Sequence, residues 1–343
     1  MNRLKYYFFL PASIVLILIS CSKGSTTNAA DTSGNWVKRS EFDGNARTEA
    51  VSFTIGDTAY LGTGFDGTNR YNDFWAYDPE KNYWIQKAQF PGIARNSAVG
   101  FSVGTKGYIA TGYDGLNKLN DTWEYNQATN SWTQKANFAG TPRYDAVAFG
   151  INSKGYLTTG FDGGYTKDMW EFDPAAGSNG TWTQKVSLGG SKRSGAVAFV
   201  YNNKGYVVTG FNNGQAVSDF WVFDPSASGG SWTQLRDITN SNTTETYDDD
   251  YTDIVRTQAV AFIIGTKAYL AVGENGTPVV KTWEYDFASD TWARKTTYER
   301  ADRSGAVGFT VKGRGFVACG KNSTYYLDDI DEFHPDETEN SLD

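Results

Sequence analysis

The sequence has 343 residues, of which 39% are hydrophobic, 20% charged and 15% aromatic, and its formal net charge is −8 at pH 7. An acidic chain lacks the basic surface that nucleic-acid binding requires, so we exclude nucleic acid as a partner. One histidine and two cysteines are too few for a disulfide framework or a His/Cys metal site, and we expect no metal or other cofactor.

The first 20 residues are predicted to form a secretory signal. Arg3 and Lys5 give a basic start, and residues 6–19 form an uncharged, mostly apolar stretch that is too short to cross a bilayer about 30 Å thick. The Leu-Ile-Ser-Cys motif that ends at Cys21 resembles a bacterial lipobox, which implies lipidation of Cys21. We therefore predict attachment to the bacterial cell envelope, at the outer membrane, through the lipid alone.

Residues 21–34 follow as a short polar segment. Serine, threonine, glycine, alanine and asparagine dominate it, and such a composition favours a flexible tether. Whether the tethered domain faces the periplasm or the cell exterior stays open.

Six runs of the form Arg-x-x-Ala-Val-x-Phe come next, at intervals of 47 to 63 residues. Each is followed by a short apolar run that ends in glycine, and in the first five units by two tryptophan-bearing runs. Four β-strands in a unit of this length are typical of one propeller blade. The sequence therefore predicts an all-β, six-bladed propeller in which the tryptophans belong to the core.

The two ends of the repeat predict how the ring closes. The sixth unit has only three strand-forming runs before an acidic tail, predicted at residues 336–343. A spare run around Trp36 matches the fourth run of the first unit, around Trp84. We therefore expect the Trp36 strand to complete the last blade of a propeller spanning residues 35–335. Asp331 stands where the other third strands carry tryptophan, so its packing must differ.

The repeat resembles that of the kelch family over essentially the whole chain beyond the tether. The resemblance rests on the small-residue turn after the second strand and on the spaced tyrosines and tryptophans. In four units a Thr-Gly-aromatic sequence, such as residues 63–65, replaces the double glycine usual in the family. The resemblance implies a kelch-type propeller, and we expect the domain to be a monomer.

The arginines that open the six repeats are candidates for a ligand-binding face. They are Arg47, Arg95, Arg143, Arg193, Arg256 and Arg303. In kelch domains that capture acidic peptides, arginines at this position line the binding face, so the resemblance implies the same role here. The residues that follow the second-strand glycines are expected on this face too: Phe65, Tyr113, Phe161, Phe211, Glu274 and Lys321.

A structural brace is the alternative role for these arginines. An aspartate opens the third strand in five blades and would pair with the arginine of its own blade: Asp73, Asp121, Asp168, Asp219 and Asp329. Blade five differs because Lys281 replaces the aspartate, which leaves Arg256 without its usual partner.

A single long insertion, residues 237–255, precedes blade five on the same predicted face. Its acidic residues Asp248, Asp249, Asp250 and Asp253 could partner Arg256, bind a cation, cover the central opening or simply be solvated. No Asp-x-Asp-x-Asp-Gly spacing supports a calcium site.

Function is predicted mainly by exclusion. The kelch-related copper oxidases need two histidines, and triad chemistry needs a nucleophile–histidine pair, whereas His334 is the sole histidine. We therefore favour a non-catalytic envelope lipoprotein that binds a protein, peptide or glycan. The alternative is a sugar-directed enzyme similar to the kelch-type sialic acid mutarotases, with Arg143, Arg193 or Arg256 binding a carboxylate and Glu274 acting as base.

Overall fold

A computed structural model describes residues 33–227, 229–239, 251 and 253–342. The predicted signal, Cys21, most of the tether and Asp248, Asp249 and Asp250 lie outside these residues. Every regular element described is a β-strand, and the strands form six four-stranded antiparallel sheets and one small hairpin. Among the described residues no helix is long and apolar enough to span a membrane. The prediction of an all-β, six-bladed propeller is confirmed.

Each of the first five blades takes four consecutive long strands, which we call a to d from the centre of the ring outward. Blade one contains β2 (Val51–Ile55), β3 (Thr58–Gly62), β4 (Phe74–Asp78) and β5 (Tyr83–Gln86). Blade two contains β6 (Val99–Val103), β7 (Lys106–Ala110), β8 (Thr122–Asn126) and β9 (Ser131–Gln134). Blade three contains β10 (Val147–Ile151), β11 (Lys154–Thr158), β12 (Met169–Asp173) and β13 (Thr181–Lys185).

Blade four carries an extra hairpin between its second and third long strands. It contains β14 (Val197–Tyr201), β15 (Lys204–Val208), β18 (Phe220–Asp224) and β19 (Ser231–Gln234), with β16 (Phe211–Asn212) and β17 (Gln215–Ala216) as the hairpin. Blade five contains β20 (Val260–Ile264), β21 (Lys267–Ala271), β22 (Lys281–Asp286) and β23 (Thr291–Thr297).

The sixth blade joins the two ends of the described chain. It contains β24 (Val307–Val311), β25 (Arg314–Ala318), β26 (Ile330–Thr338) and, as its outermost strand, β1 (Ser33–Lys38). Trp36 lies opposite Phe333 in the β1–β26 pair and is fully buried, with its indole N–H donating to Thr282 of blade five at 3.2 Å. β1 and β26 both extend a few residues beyond the predicted limits of 35 and 335, because Ser33 pairs with Thr338.

The sequence of the inner strands is set by close packing between blades. In β10, Val147, Phe149 and Ile151 are buried, and the phenylalanine at this position of one blade lies against the second strand of the next. At Gly155 an added Cβ would come within 2.2 Å of the Phe101 ring, so a larger residue would push the two blades apart. Glycine at this point therefore lets neighbouring inner strands approach.

Tryptophans of the outer strands connect neighbouring blades further out. The indole N–H groups of Trp132, Trp182 and Trp232 donate to backbone carbonyls of the preceding blade at 2.9–3.2 Å. Their rings also contact aromatic side chains of that blade, as in the Phe138–Trp182 pair with centroids 5.2 Å apart. These rings fill the widening gap between blades, as the core assignment predicts.

Candidate functional site

The six arginines that open the repeats lie inside the blades. Each is at most 1% exposed, and each makes the same two contacts with backbone carbonyls. The Nε–H donates two residues back along the chain at 2.8–3.1 Å, and Nη1 donates to the residue before the second-strand glycine at 2.8–3.0 Å. In blade six that residue is Cys319, a buried thiol whose pKa is raised to about 12 by burial.

Five of the arginines also pair with the aspartate of their own blade. Arg143 is typical: Nη1 and Nη2 contact the two oxygens of Asp168 at 2.5 and 2.8 Å, and the indole of Trp170 donates to the same carboxylate at 2.7 Å. Burial alone would raise the pKa of Asp168, but the hydrogen bonds from Arg143 and Trp170 lower it. This geometry agrees with a brace between strands a and c, and disagrees with an exposed ring of arginines that contacts ligands.

In blade five, carbonyl contacts replace the arginine–aspartate pair, and a carboxylate from the insertion accepts the tryptophan N–H. Arg256 is fully buried, and its Nη groups donate to the carbonyls of Val272, Lys281 and Asp253 at 2.7–3.0 Å. Burial lowers the pKa of Arg256 to about 9, against the opposing charge of Asp253. The Asp253 carboxylate accepts the indole N–H of Trp283 at 3.0 Å. Asp253, from the insertion, thus caps the tryptophan, while Lys281 contributes only its carbonyl to Arg256.

A closed ring of backbone hydrogen bonds surrounds one mouth of the central channel. It joins the residues two positions after each arginine, and each N–H donates to the carbonyl of the equivalent residue in a neighbouring blade at 2.7–3.1 Å. All six residues have positive φ, between 51° and 63°. They are Glu49, Ser97, Asp145, Gly195, Gln258 and Gly305. The ring fixes the backbone at the mouth, while the residue differs between blades. At Gly195 and Gly305 an added Cβ would come within 2.5 and 2.2 Å of a threonine hydroxyl of the neighbouring blade.

Two carboxyl groups, from blades one and three, lie at this mouth. Glu49 accepts hydrogen bonds from the Asn96 amide at 2.5 Å and the Ser97 hydroxyl at 2.6 Å. Burial, and then the negative charge of Glu49, raise the pKa of Asp145 well above its usual range, while Ser97 and the charge of Lys321 partly oppose this. The pair lines a cavity whose other walls are mainly alanine. Sequence reasoning placed no two carboxylates together.

Aromatic side chains continue outward from the mouth on the same face and form what we call the aromatic ladder. Neighbouring rings in the ladder have centroids 5.4–6.3 Å apart, with one break between blades one and two. Arg70 fills that break, lying 4.5 Å from the Phe65 ring and 5.2 Å from the Tyr113 ring. All of the rings are half-buried. In order around the face they are Tyr326, Phe65, Tyr113, Tyr144, Phe161, Tyr165 and Phe211.

The ladder is interrupted between blades five and six by a polar groove. Glu274 and Lys321 occupy the positions that hold aromatic residues in the other blades, and both line this groove together with Pro278, Tyr325 and Tyr326. Lys321 is close enough to the channel mouth for its charge to lower the pKa of Asp145. Of the predicted face residues, the structure therefore brings together those that follow the second-strand glycines, and separates them from the buried arginines.

Six residues that build this face were not singled out from the sequence: Glu49, Asp145, Arg70 and the ladder residues Tyr144, Tyr165 and Tyr326. Glu49 and Asp145 lie two residues after the repeated arginine, at a position where the other blades carry serine, glutamine or glycine. Arg70 lies in the loop between strands b and c. The signal available was position: each follows a repeated arginine or glycine by a fixed or nearly fixed interval. The described residues contain no group of three or more His, Cys, Asp or Glu side chains arranged to hold a metal ion.

Comparison with known proteins agrees with this architecture. The kelch motif model matches residues 47–91 and 192–239. A solved structure titled "Structure of YjhT" is similar with a TM-score of 0.70 and 17% sequence identity, over 84% of this chain and 95% of that chain. At this identity the likeness concerns the fold alone. No curated protein sequence matches this chain significantly.

Proposed function

Because this chain is a six-bladed β-propeller with kelch motifs, we propose that it is a non-catalytic binding protein of the bacterial cell envelope and that its aromatic ladder recognises a glycan. The ladder is the observation that carries the proposal. Ligand sites are commonly lined by aromatic groups with a few polar groups that fix orientation. Half-buried rings offer flat apolar surfaces to the C–H faces of sugar rings at little cost in side-chain entropy.

The loops beside the ladder supply the polar partners that sugar hydroxyl groups need. In blade one Asp66 accepts the N–H groups of Thr68 and Asn69 at 2.8 and 2.6 Å, and blade two repeats the arrangement with Asp114. These turns hold carboxylate and amide groups in fixed positions around the rings. Preformed positions favour binding, because less conformational entropy is lost when the ligand arrives.

Attachment to the membrane is a separate part of the proposal, supported by the N-terminal sequence. A lipid on Cys21 followed by a polar tether would hold the propeller close to a membrane surface without a spanning segment. Replacing Cys21 with serine should move the protein from the membrane fraction to the soluble fraction of cells. Unchanged fractionation of Cys21→Ser would contradict lipid anchoring, without bearing on glycan binding.

The ladder is tested by removing one ring from it. Tyr165 contacts Phe161 and Phe211 in the ladder, so Tyr165→Ala should weaken glycan binding about tenfold or more. Tyr83, 37% exposed on the outer strand β5, lies outside the ladder, and Tyr83→Ala serves as the matched control. The measurement is titration of oligosaccharides that wild type captures on a glycan array. Equal affinities of the two variants, or capture of peptides but not glycans, would contradict the proposal.

A second function is favoured by the carboxyl pair at the channel mouth. Asp145, a carboxyl with raised pKa, lines the same cavity as the Glu49 carboxyl, and such a carboxyl is suited to general acid and base roles in sugar chemistry. This is the enzyme alternative predicted from the sequence, with Asp145 and Glu49 in place of Glu274 as the acid and base groups. NMR measurement of anomer exchange in acidic sugars should then show acceleration by wild type and none by Asp145→Asn. No acceleration by wild type would exclude this candidate.

A further inference from the structure

Arg70 differs from the six repeated arginines in every respect that matters for binding. It lies in the b–c loop of blade one, is half-buried, and has its guanidinium between the rings of Phe65 and Tyr113. Its Nε–H donates to the side-chain oxygen of Asn96 at 2.6 Å. Within the described part of the chain, Nη1 and Nη2 donate no hydrogen bond, and they lie beside Gly115 of blade two, where an added Cβ would come within 2.5 Å of Nη1.

A chain of hydrogen bonds holds this arginine in one orientation. From Arg70 it runs to Asn96, and from the Asn96 amide to Glu49 at the channel mouth at 2.5 Å. Asn96 is 6% exposed, so the residue that orients Arg70 is itself fixed by its surroundings. Because Nε is engaged by Asn96 and the rings of Phe65 and Tyr113 lie beside the guanidinium, the remaining donors are Nη1 and Nη2, which lie next to Gly115 of blade two.

The carboxylates near Arg70 accept hydrogen bonds from other groups. The charge of Arg70 helps to lower the pKa of Asp114, but the larger causes are hydrogen bonds from that aspartate's own loop. Asp114 accepts the N–H groups of Leu116 and Asn117 at 2.7 and 2.6 Å. Glu49 is likewise occupied by Asn96 and Ser97. The Nη groups of Arg70 therefore keep their donors, and its charge is opposed only by the nearby Asp114, which forms no ion pair with it among the described residues.

We propose that Arg70 binds an acidic substituent of the glycan, a carboxylate or sulfate group, through its two Nη groups. This inference rests on the proposed glycan-binding function of the ladder and adds the chemical class of the ligand. A planar guanidinium matches the paired oxygens of a carboxylate or sulfate, and stacking on two rings reduces the entropy lost when the bond forms. The flanking rings would contact the sugar that carries the charge.

The neighbouring blade offers a matched control. Lys118 holds the position of Arg70 in the equivalent loop of blade two, paired by a backbone bridge to Tyr113 as Arg70 is to Phe65. Lys118→Gln and Arg70→Gln each remove one positive charge from the same face. Arg70→Lys keeps the charge and removes the planar pair of donors. Thermal melting of all three variants checks that the fold is retained.

The probes are oligogalacturonate and its methyl ester, and a sulfated galactan oligomer and its desulfated form, titrated against each variant. Wild type should bind at least one charged probe about tenfold more tightly than its uncharged counterpart. Arg70→Gln should abolish that preference, Arg70→Lys should reduce it, and Lys118→Gln should change it less than about twofold. Which pair shows the preference identifies carboxylate or sulfate.

Two outcomes would overturn the inference in distinguishable ways. If wild type binds charged and uncharged probes equally, and Tyr165→Ala weakens both, the glycan site stands and the role of Arg70 falls. If wild type binds none of the four probes, acidic glycans are contradicted, and the array test of the ladder decides separately whether any glycan is bound. An equal loss in Arg70→Gln and Lys118→Gln would indicate general charge attraction in place of a specific contact.

Discussion

Arg143 and Asp145 are two residues apart in the same loop, yet they belong to regions of opposite character. Arg143 is buried, and its counterpart in every blade is an arginine with the same backbone contacts. Asp145 is half-buried at the channel mouth, and its counterparts are a glutamate, a serine, a glutamine and two glycines. The backbone around both is equally regular.

This difference distinguishes residues that the fold requires from residues that are available to bind a ligand. The arginine stays the same because each blade needs a donor that joins strands a and c and the turn between them. At the mouth the ring of backbone hydrogen bonds already satisfies the main chain, so the residue there differs between blades, although Gly195 and Gly305 leave no room for a side chain. In a repeat protein, residues identical in every blade therefore indicate scaffold, and departures among exposed positions indicate candidate sites.

The sharpest test of this comparison is the stability of arginine variants. Arg143→Met leaves Asp168 partly buried without its cation and should lower the free energy of unfolding by about 3–5 kcal/mol. Arg256→Met leaves only carbonyls and the indole-bonded Asp253 behind, and should cost less, about 1–3 kcal/mol. Urea denaturation of the two variants measures both values.

The double variant Arg143→Met with Asp168→Asn is the control for the larger loss. It removes the unpaired charge of the Asp168 carboxylate together with the arginine, so part of the stability lost in Arg143→Met should return. Equal losses for Arg143→Met and Arg256→Met would show that the aspartate contributes nothing beyond the carbonyl contacts. The contrast between blade five and the others would then have no energetic meaning.

A smaller effect is expected from the pH dependence of Asp145. A carboxyl whose pKa is higher in the folded than in the unfolded state favours folding below the unfolded-state pKa of about 3.9. That advantage is lost as the pH rises through the folded-state value. Burial and Glu49 raise the pKa of Asp145, so Asp145→Asn should be more stable than wild type by about 1–2 kcal/mol at pH 8, with the difference shrinking toward pH 4.

Thermal melts at several pH values measure this difference in stability. Asp162→Asn is the control, because its effect on stability should have the opposite sign. Its carboxyl accepts the Thr141 hydroxyl and the Gly164 N–H, which hold the pKa of Asp162 below its usual range despite burial. Asp162→Asn should therefore destabilise the protein at neutral pH, with the loss fading in acid. A pH-independent effect of Asp145→Asn would contradict the coupling between Asp145 and Glu49.

Much of the fold could be predicted from the sequence because the propeller repeats one four-stranded blade six times. The arginine, the second-strand glycine and the two tryptophans each recur at nearly constant spacing, and the position of Trp36 matched it to the missing fourth strand. Asp253 was one of the predicted candidate partners of Arg256, but the repeat could not predict that the contact is made through its backbone carbonyl. Asp253 lies in an insertion without counterparts, and only the folded loop brings its carboxylate to Trp283.

The candidate site was harder to predict for a related reason. The six repeated arginines were recognised as candidates because they recur in every blade. In the structure they are buried, and five of them are ion-paired, so they belong to the interior. Glu49 and Asp145 are 96 positions apart in the chain numbering, 145 − 49, and ring closure around the channel brings them together. Arg70 becomes distinctive only through the rings on either side of it, which come from two different blades.

The central claim is that the regular interior holds the fold while the face with the aromatic ladder binds a glycan. Hydrogen–deuterium exchange of the full-length protein, with and without the tightest oligosaccharide from the array, tests it most directly. Binding should slow exchange in residues 65–71, 113–119 and 161–166, with little change in the outer strands. Protection confined to the outer strands, or absent from these three loops, would contradict it.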